Sequence, residues 1–246
     1  MRKVFVLITC FYGFCLSAQD VFNRPQAPTS FTEDIRTIDF IQRNVISQIR
    51  PSDTNNAETV EILGSAYLTE EFKNGAIFYN TTPIGEYMLR YNVYGEEFEI
   101  LNPDDTKSAV AKTSEVAIQI EGKKYVFKYF LDDDERSRFG YFEVISTTDK
   151  GHYTLLKKNK KILTESRKAV TSFDVNRPAR FVDTEAYYLL IDDKEIVKIR
   201  PQNGYVSRFF KKRGVTVKSF LKEHNYNVKH IEDLKEVIQY CNSVSE

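Results

Sequence analysis

The chain has no tryptophan and, across 246 residues, only three cysteines, three histidines, ten glycines and seven prolines. Cys10 and Cys15 fall in the first apolar segment, leaving Cys241 as the single cysteine downstream of it, so an intramolecular disulfide framework is excluded and stability must come from packing. His152, His224 and His230 come with no HExxH motif and no Cys-rich spacing, so they read as surface histidines and no metal site is expected. No G-x-S-x-G elbow occurs, so nucleophile-elbow chemistry has no signature here. Neither sign of charge dominates: 35 basic and 35 acidic residues cancel, which argues against a strongly basic nucleic-acid binder. No cofactor motif is present, and none is expected.

What is abundant is aromatic surface, with 15 Tyr and 18 Phe, residues that favour the pleated surface of a strand. The first 18 residues read as an export signal: Arg2 and Lys3, an apolar run from Val4 to Leu16, then Leu16-Ser17-Ala18 before Gln19. Removing them takes away two positive charges and no negative one, so the mature chain carries a formal charge of −2. No transmembrane segment is expected in that mature chain. Residues 19–29 form a Pro-containing linker. Ser30 and Glu33 form a capping box, and Ile35, Ile38, Ile41, Val45 and Ile49 repeat at helical spacing before Pro51, which predicts an N-terminal helix over 30–50.

From residue 51 to 200 the period becomes strand-like, with turn residues between apolar runs, and the expected body is antiparallel, closed as a sandwich or barrel-like. Three hairpins are expected, about Glu121-Gly122, about Asn159 and about Asp192-Asp193. Alternation places Tyr87, Leu89, Tyr91 and Val93 on one buried face, opposite Met88, Arg90, Asn92 and Tyr94. It likewise places Tyr125, Phe127, Tyr129 and Leu131 in one apolar row. Residues 201–246 return to helical spacing, with Ile231, Leu234, Val237, Ile238 and Cys241 on one stripe and Asn227 as its N-cap, which predicts a helical hairpin. The fold class is therefore α+β, mainly β.

Candidate chemistry is sparse. The run Asp132-Asp133-Asp134-Glu135 offers hard oxygen ligands but lacks EF-hand spacing, and reads as a solvated turn. Glu96-Glu97 would serve glycoside hydrolysis only at a defined separation of carboxylates. The cations at Lys211 to Arg213, with Lys218 and Lys222, could meet an anionic lipid or polysaccharide, or form a solvated helical face. Arg90 interrupts an aromatic strand with a planar cationic fork. It either pairs across strands with Glu97 or Glu99, or joins Asn92 and Tyr94 on one face as a binding site.

The run Gly64 to Asn80, followed by Leu89 to Ile100 and by the terminal segments RFVDTEAYYLLIDDKEIVKI and FLKEHNYNVKHIEDLKEVIQYCNS, resembles a recurrent family of exported proteins from Bacteroidetes-type bacteria. No established activity comes with that resemblance. It implies a bacterial envelope location and transfers no catalytic role. Cys241 stands where the family would lead one to expect an aromatic residue, which argues against a shared role for the thiol. The function expected is an exported, non-catalytic binding or interaction module, periplasmic or extracellular, meeting an envelope protein or glycan. The alternatives are a secreted hydrolase and a carrier holding a small apolar ligand inside the β-body.

Overall fold

The computed structural model of the protein describes residues 45–48, 62–146, 151–169, 171 and 173–245. The export segment, the linker and most of the helix expected over 30–50 lie outside these residues. Within that span Ile46–Gln48 are strand rather than helix: they form β1, with Ile46 opposite Val110 and Gln48 opposite Ser108. Val45 is still helical, but the β-branched Ile46 suits a pleated edge once a partner strand is at hand, and this pairing overrides the helical spacing at Ile46–Gln48.

The remaining strands are β2 (Ile62–Leu63), β3 (Lys73–Tyr79), β4 (Thr82–Asn92), β5 (Glu97–Leu101), β6 (Lys107–Val110), β7 (Val116–Ile120), β8 (Lys123–Leu131), β9 (Ser137–Ser146), β10 (Tyr153–Thr164), β11 (Ala179–Ile191) and β12 (Glu195–Ile199). Three helices come after them, α1 (Asn203–Lys211), α2 (Lys218–Glu223) and α3 (Ile231–Val244), where a two-helix hairpin was expected. The strands make one sheet in the order β1-β6-β5-β4-β3-β7-β8-β9-β10-β11-β12, with β2 beside β11. Apart from β2 with β11, every pairing is antiparallel. The strands form one continuous sheet among the described residues, and it curls on itself: Lys198 of β12 reaches Asp133 after β8, and the β4–β5 turn reaches β9.

Turn chemistry explains two of the three expected hairpins. Glu121 and Gly122 both have positive φ, 49° and 76°, the geometry whose twist matches flanking strands, and they join β7 to β8. Asp192 and Asp193, at 50° and 54°, join β11 to β12 with Lys194 in a three-residue loop. The hairpin expected about Asn159 does not form. β10 runs straight through that residue, which lies opposite Glu185 of β11. A lone Asn with no Gly beside it does not impose a turn, and a long register with β11 is available instead.

Two apolar layers result. On the first, Leu89 and Tyr91 of β4 and Val93 just after it are buried with Phe98, Tyr125, Phe127 and Tyr141, as the alternation predicts. The rings touch: Tyr91 stacks on Phe98 at 4.4 Å between centroids, and Tyr141 meets Phe98 edge-on at 4.9 Å. The apolar row of β8 is only half realised, since Tyr129 and Leu131 are exposed while Phe130, on the opposite row, is buried against Phe142, Leu156, Tyr188 and Leu190. The middle of β8 is therefore covered on both faces. The second layer lies under the helices, where Val206, Phe210, Leu234, Val237, Ile238 and Cys241 close over Tyr153, Leu155, Leu189 and Ile199. Asn242 secures α3 to β10, donating to the Tyr153 carbonyl and accepting from its N–H, each at 2.8 Å. Cys241 is fully buried, and burial pushes its thiol up to about 12. The N-cap of α3 is His230, not Asn227. Asn227 instead accepts from the N–H of Lys229 and gives its own N–H to Asp233.

The aromatic core has an alkaline limit. Burial holds the phenols of Tyr91, Tyr125 and Tyr141 well above the ordinary tyrosine value, and that of Tyr188 at about 12. A phenol whose folded value is raised contributes stability that is complete below pH ~10 and is lost as pH climbs toward the folded value. Among the described residues the buried hydroxyls of Tyr125 and Tyr141 have no hydrogen-bond partner. Tyr125→Phe and Tyr141→Phe should therefore be neutral or stabilising by about 1 kcal/mol at pH 7, and should move the alkaline unfolding midpoint upward. Circular dichroism followed against pH checks both. A lowered midpoint would mean that these hydroxyls have partners.

Candidate functional site

The pairing of β9 with β10 stops at Lys157 opposite Glu143, although β10 continues to Thr164 along β11 and β9 runs back to Ser137 along β8. A continued ladder would set Lys158 opposite Phe142 and Asn159 opposite Tyr141. Instead the strands part, and the turn between β4 and β5 enters the gap. Glu96 in that turn has φ 51°, in the left-handed region, and contacts hold its side chain in place. Its carboxylate has three such contacts. It takes the ammonium of Lys158 at 2.5 Å, the N–H of Tyr141 at 3.1 Å and the hydroxyl of Tyr91 at 3.1 Å. Glu96 thus satisfies a main-chain donor of β9 that has no strand opposite it.

Lys158 completes the wedge. It is only 8% exposed, and its ammonium sits 5.3 Å from the Phe142 ring and 5.5 Å from Phe130, within reach of both ring quadrupoles. Burial pulls this ammonium below the ordinary lysine value, while Glu96 works in the opposite direction. The chain passes over Gly140, where a Cβ would collide with Lys158 Nζ and crowd Glu96 Oε2. Any side chain at position 140 would force the end of Lys158 out of this place.

The gap is a cleft of about 540 Å³, continuous through Val93, Lys160, Lys161, Thr184 and Glu185 with a shallower depression of about 320 Å³. Its rim carries Tyr94, Phe139 and Ile162, exposed by 52%, 63% and 42%, and its floor holds Phe130, Tyr188 and the Glu96–Lys158 pair. Phe139 is propped by Phe127, stacked at 6.0 Å, and by Tyr129. The acids on its walls are engaged in structure. Asp132 accepts from the N–H groups of Arg136 and Asp134 and from Arg138 Nε, which holds its carboxyl below the usual range, the Arg136 N–H having the largest effect. Asp133 pairs with Lys198 at 2.5 Å, so the run 132–135 closes the β8–β9 turn and ties it to β12.

The three residues proposed from sequence are divided by the structure. Arg90 lies in the sheet opposite Glu99, 2.5 Å from its carboxylate, with a second bond to the Glu70 carbonyl at 3.0 Å. Its guanidinium is sandwiched between the rings of Tyr67 and Phe72, 3.6 and 4.3 Å from their centroids. At 8% exposure Arg90 is one half of a cross-strand ion pair, and it offers no surface to a partner. Asn92 turns its side-chain oxygen to the N–H of Gly95 and so shapes the β4–β5 turn. Tyr94 alone is exposed, edge-on to Phe181 at 5.2 Å, and lines the cleft.

Elsewhere, Lys211, Lys218 and Lys222 join Arg208 around a depression of about 840 Å³ between α1 and α2, on whose walls no buried polar group stands. Arg213 lies instead over the Phe209 ring at 3.8 Å. His224 faces the Phe220 carbonyl, and His152 lies 2.5 Å from Asp192. Among the described residues no group of three or more His, Cys, Asp or Glu side chains is placed to hold a metal ion. No helix among them is long and apolar enough to cross a membrane. Compared with protein-family models, with curated proteins and with solved structures, the chain gives no match.

Sequence reasoning weighs Glu96 only as half of an acidic pair, assigns Lys158 to a hairpin and passes over Gly140. The available signal is the glycine itself, isolated inside the aromatic strand RFGYF, a pattern that marks close approach of another group.

Proposed function

We propose that this protein is an exported, non-catalytic binding module of the bacterial envelope that holds its partner in the cleft between β9 and β10. The observation that carries this reading is the opening itself. A ladder that could have continued is held apart by a partly buried ion pair, and the space so made is rimmed by exposed aromatic and aliphatic side chains. Concave sites of about 300–1,000 Å³ with apolar walls and a few fixed polar groups are where ligands bind. Binding is favoured over hydrolysis because Glu96, Asp132 and Asp133 already spend their oxygens on main-chain donors and cations. It is favoured over carriage inside the β-body because rings in mutual contact occupy that interior. The apolar run after Arg2 and Lys3 and the family resemblance support export and an envelope location.

The test is site-specific photo-crosslinking in the producing cells. A photoreactive phenylalanine at Phe139 or Tyr94 should yield a discrete adduct, while the same group at exposed Met88, outside the cleft, should not. Equal labelling at all three positions, or none at the cleft positions, would overturn the assignment. Intact-mass analysis of the exported protein should place its N-terminus near Gln19.

A further inference from the structure

We infer that the cleft takes an extended polypeptide segment, added as a strand to the open edge of β10; this rests on the cleft being the binding site. From Lys158 to Thr164 β10 pairs with β11 on one edge, and among the described residues no strand lies on the other. An open edge presents unpaired main-chain donors and acceptors to any extended chain, which is how strand-adding domains gain affinity without fixing sequence.

Edges are commonly left unpaired at the outside of a sheet, where lysines guard them. This one is different in place. It begins inside the eleven-strand order, between its eighth and ninth strands, at a split wedged by Glu96 and Lys158. A guard against chance pairing has no need of such a wedge, because closing the ladder would remove the edge altogether. The wedge leaves β10 as one wall of a cleft whose other wall carries Phe139.

The walls also define the segment. Exposed Phe139 and Ile162 supply apolar contacts for alternate side chains of an incoming strand. The edge sequence Lys157-Lys158-Asn159-Lys160-Lys161 carries four lysines. Lys157, Lys158 and Lys161 face Glu143, Glu96 and Asp183 in turn, and Lys160 stands exposed at the cleft. With Lys160 exposed at the cleft, the fitting partner is a segment of alternating apolar and acidic residues rather than a basic one.

The probe is the peptide acetyl-EVETEVE-amide, titrated into the mature protein while backbone amides are followed by NMR. Binding should perturb the amides of Lys158 to Thr164 and of Phe139, and should weaken as salt is added. Methylating alternate peptide nitrogens removes its ladder donors, and Lys160→Glu reverses the exposed charge. Each should weaken binding by about tenfold or more, Lys160→Glu leaving the thermal midpoint unchanged. Undiminished binding of the methylated peptide, perturbation confined to residues outside the cleft, or no binding at millimolar peptide would each overturn strand addition. If the Phe139 crosslink persists in any of those cases, the cleft is still the binding site and only the class of ligand is wrong.

Discussion

Arg90→Ala is expected to lower the unfolding free energy by about 3 to 5 kcal/mol, because it strands the buried Glu99 carboxylate without its cation. Among the described residues Glu99 keeps only the hydroxyl of Tyr67 at 3.1 Å, and the rings of Tyr67 and Phe72 lose the planar group packed between them. Arg90→Lys should fall between, since it keeps a charge but loses the bidentate reach to Glu99 and the Glu70 carbonyl. Replacing both partners, as Arg90→Met with Glu99→Leu, should recover most of the loss, as apolar pairs of similar volume do for buried ion pairs. Urea denaturation measures all three. An Arg90→Ala protein of native stability would return Arg90 to the role of a surface contact.

The second large effect is at the wedge. Lys158→Met should cost about 3 kcal/mol, toward the low end for breaking a buried pair, because Glu96 keeps 27% of its side chain in solvent and two other donors. Gly140→Ala should also destabilise, by about 2 kcal/mol, although Ala in place of a strand glycine ordinarily gains about 0.5 to 1 kcal/mol. The sign is the discriminating result, since the added Cβ occupies the space of the Lys158 ammonium. In a Gly140→Ala/Lys158→Met double variant the two costs should be clearly less than additive, because both remove the same contact. Additive costs would separate the glycine from the ion pair.

Where local chemistry decides structure, the chain was legible. Glu121-Gly122 fixes its hairpin through two positive φ values, Leu89-Tyr91-Val93 declare their face by alternation, and Leu234, Val237, Ile238 and Cys241 declare theirs by helical spacing. The site was not legible, for a physical reason. Glu96 and Lys158 are 62 positions apart and meet only because the sheet order brings the β4–β5 turn across β9. Nothing in KKNKKI distinguishes a hairpin turn from the straight strand it is, since the register with β11 that decides the matter lies in a distant segment. Arg90 was legible as an oddity and ambiguous as to role. The choice between partner and ion pair depended on Glu99 standing opposite it and on two rings from the preceding loop closing over it.

The most direct test of the split is amide hydrogen exchange of the free mature protein at single-residue resolution. In Tyr153 to Lys157, β10 is bonded toward β11 and runs beside β9. Beyond Lys157 it has one partner strand, so alternate amides from Lys158 to Thr164, together with the Phe139 amide of β9, should exchange fast while their neighbours stay protected. The Tyr141 amide, held by Glu96, should remain slow and become fast in a Glu96→Ala variant. Slow exchange at every amide from Tyr153 to Thr164 would show that the edge of β10 is already paired, and the cleft, its wedge and its proposed partner would fall together.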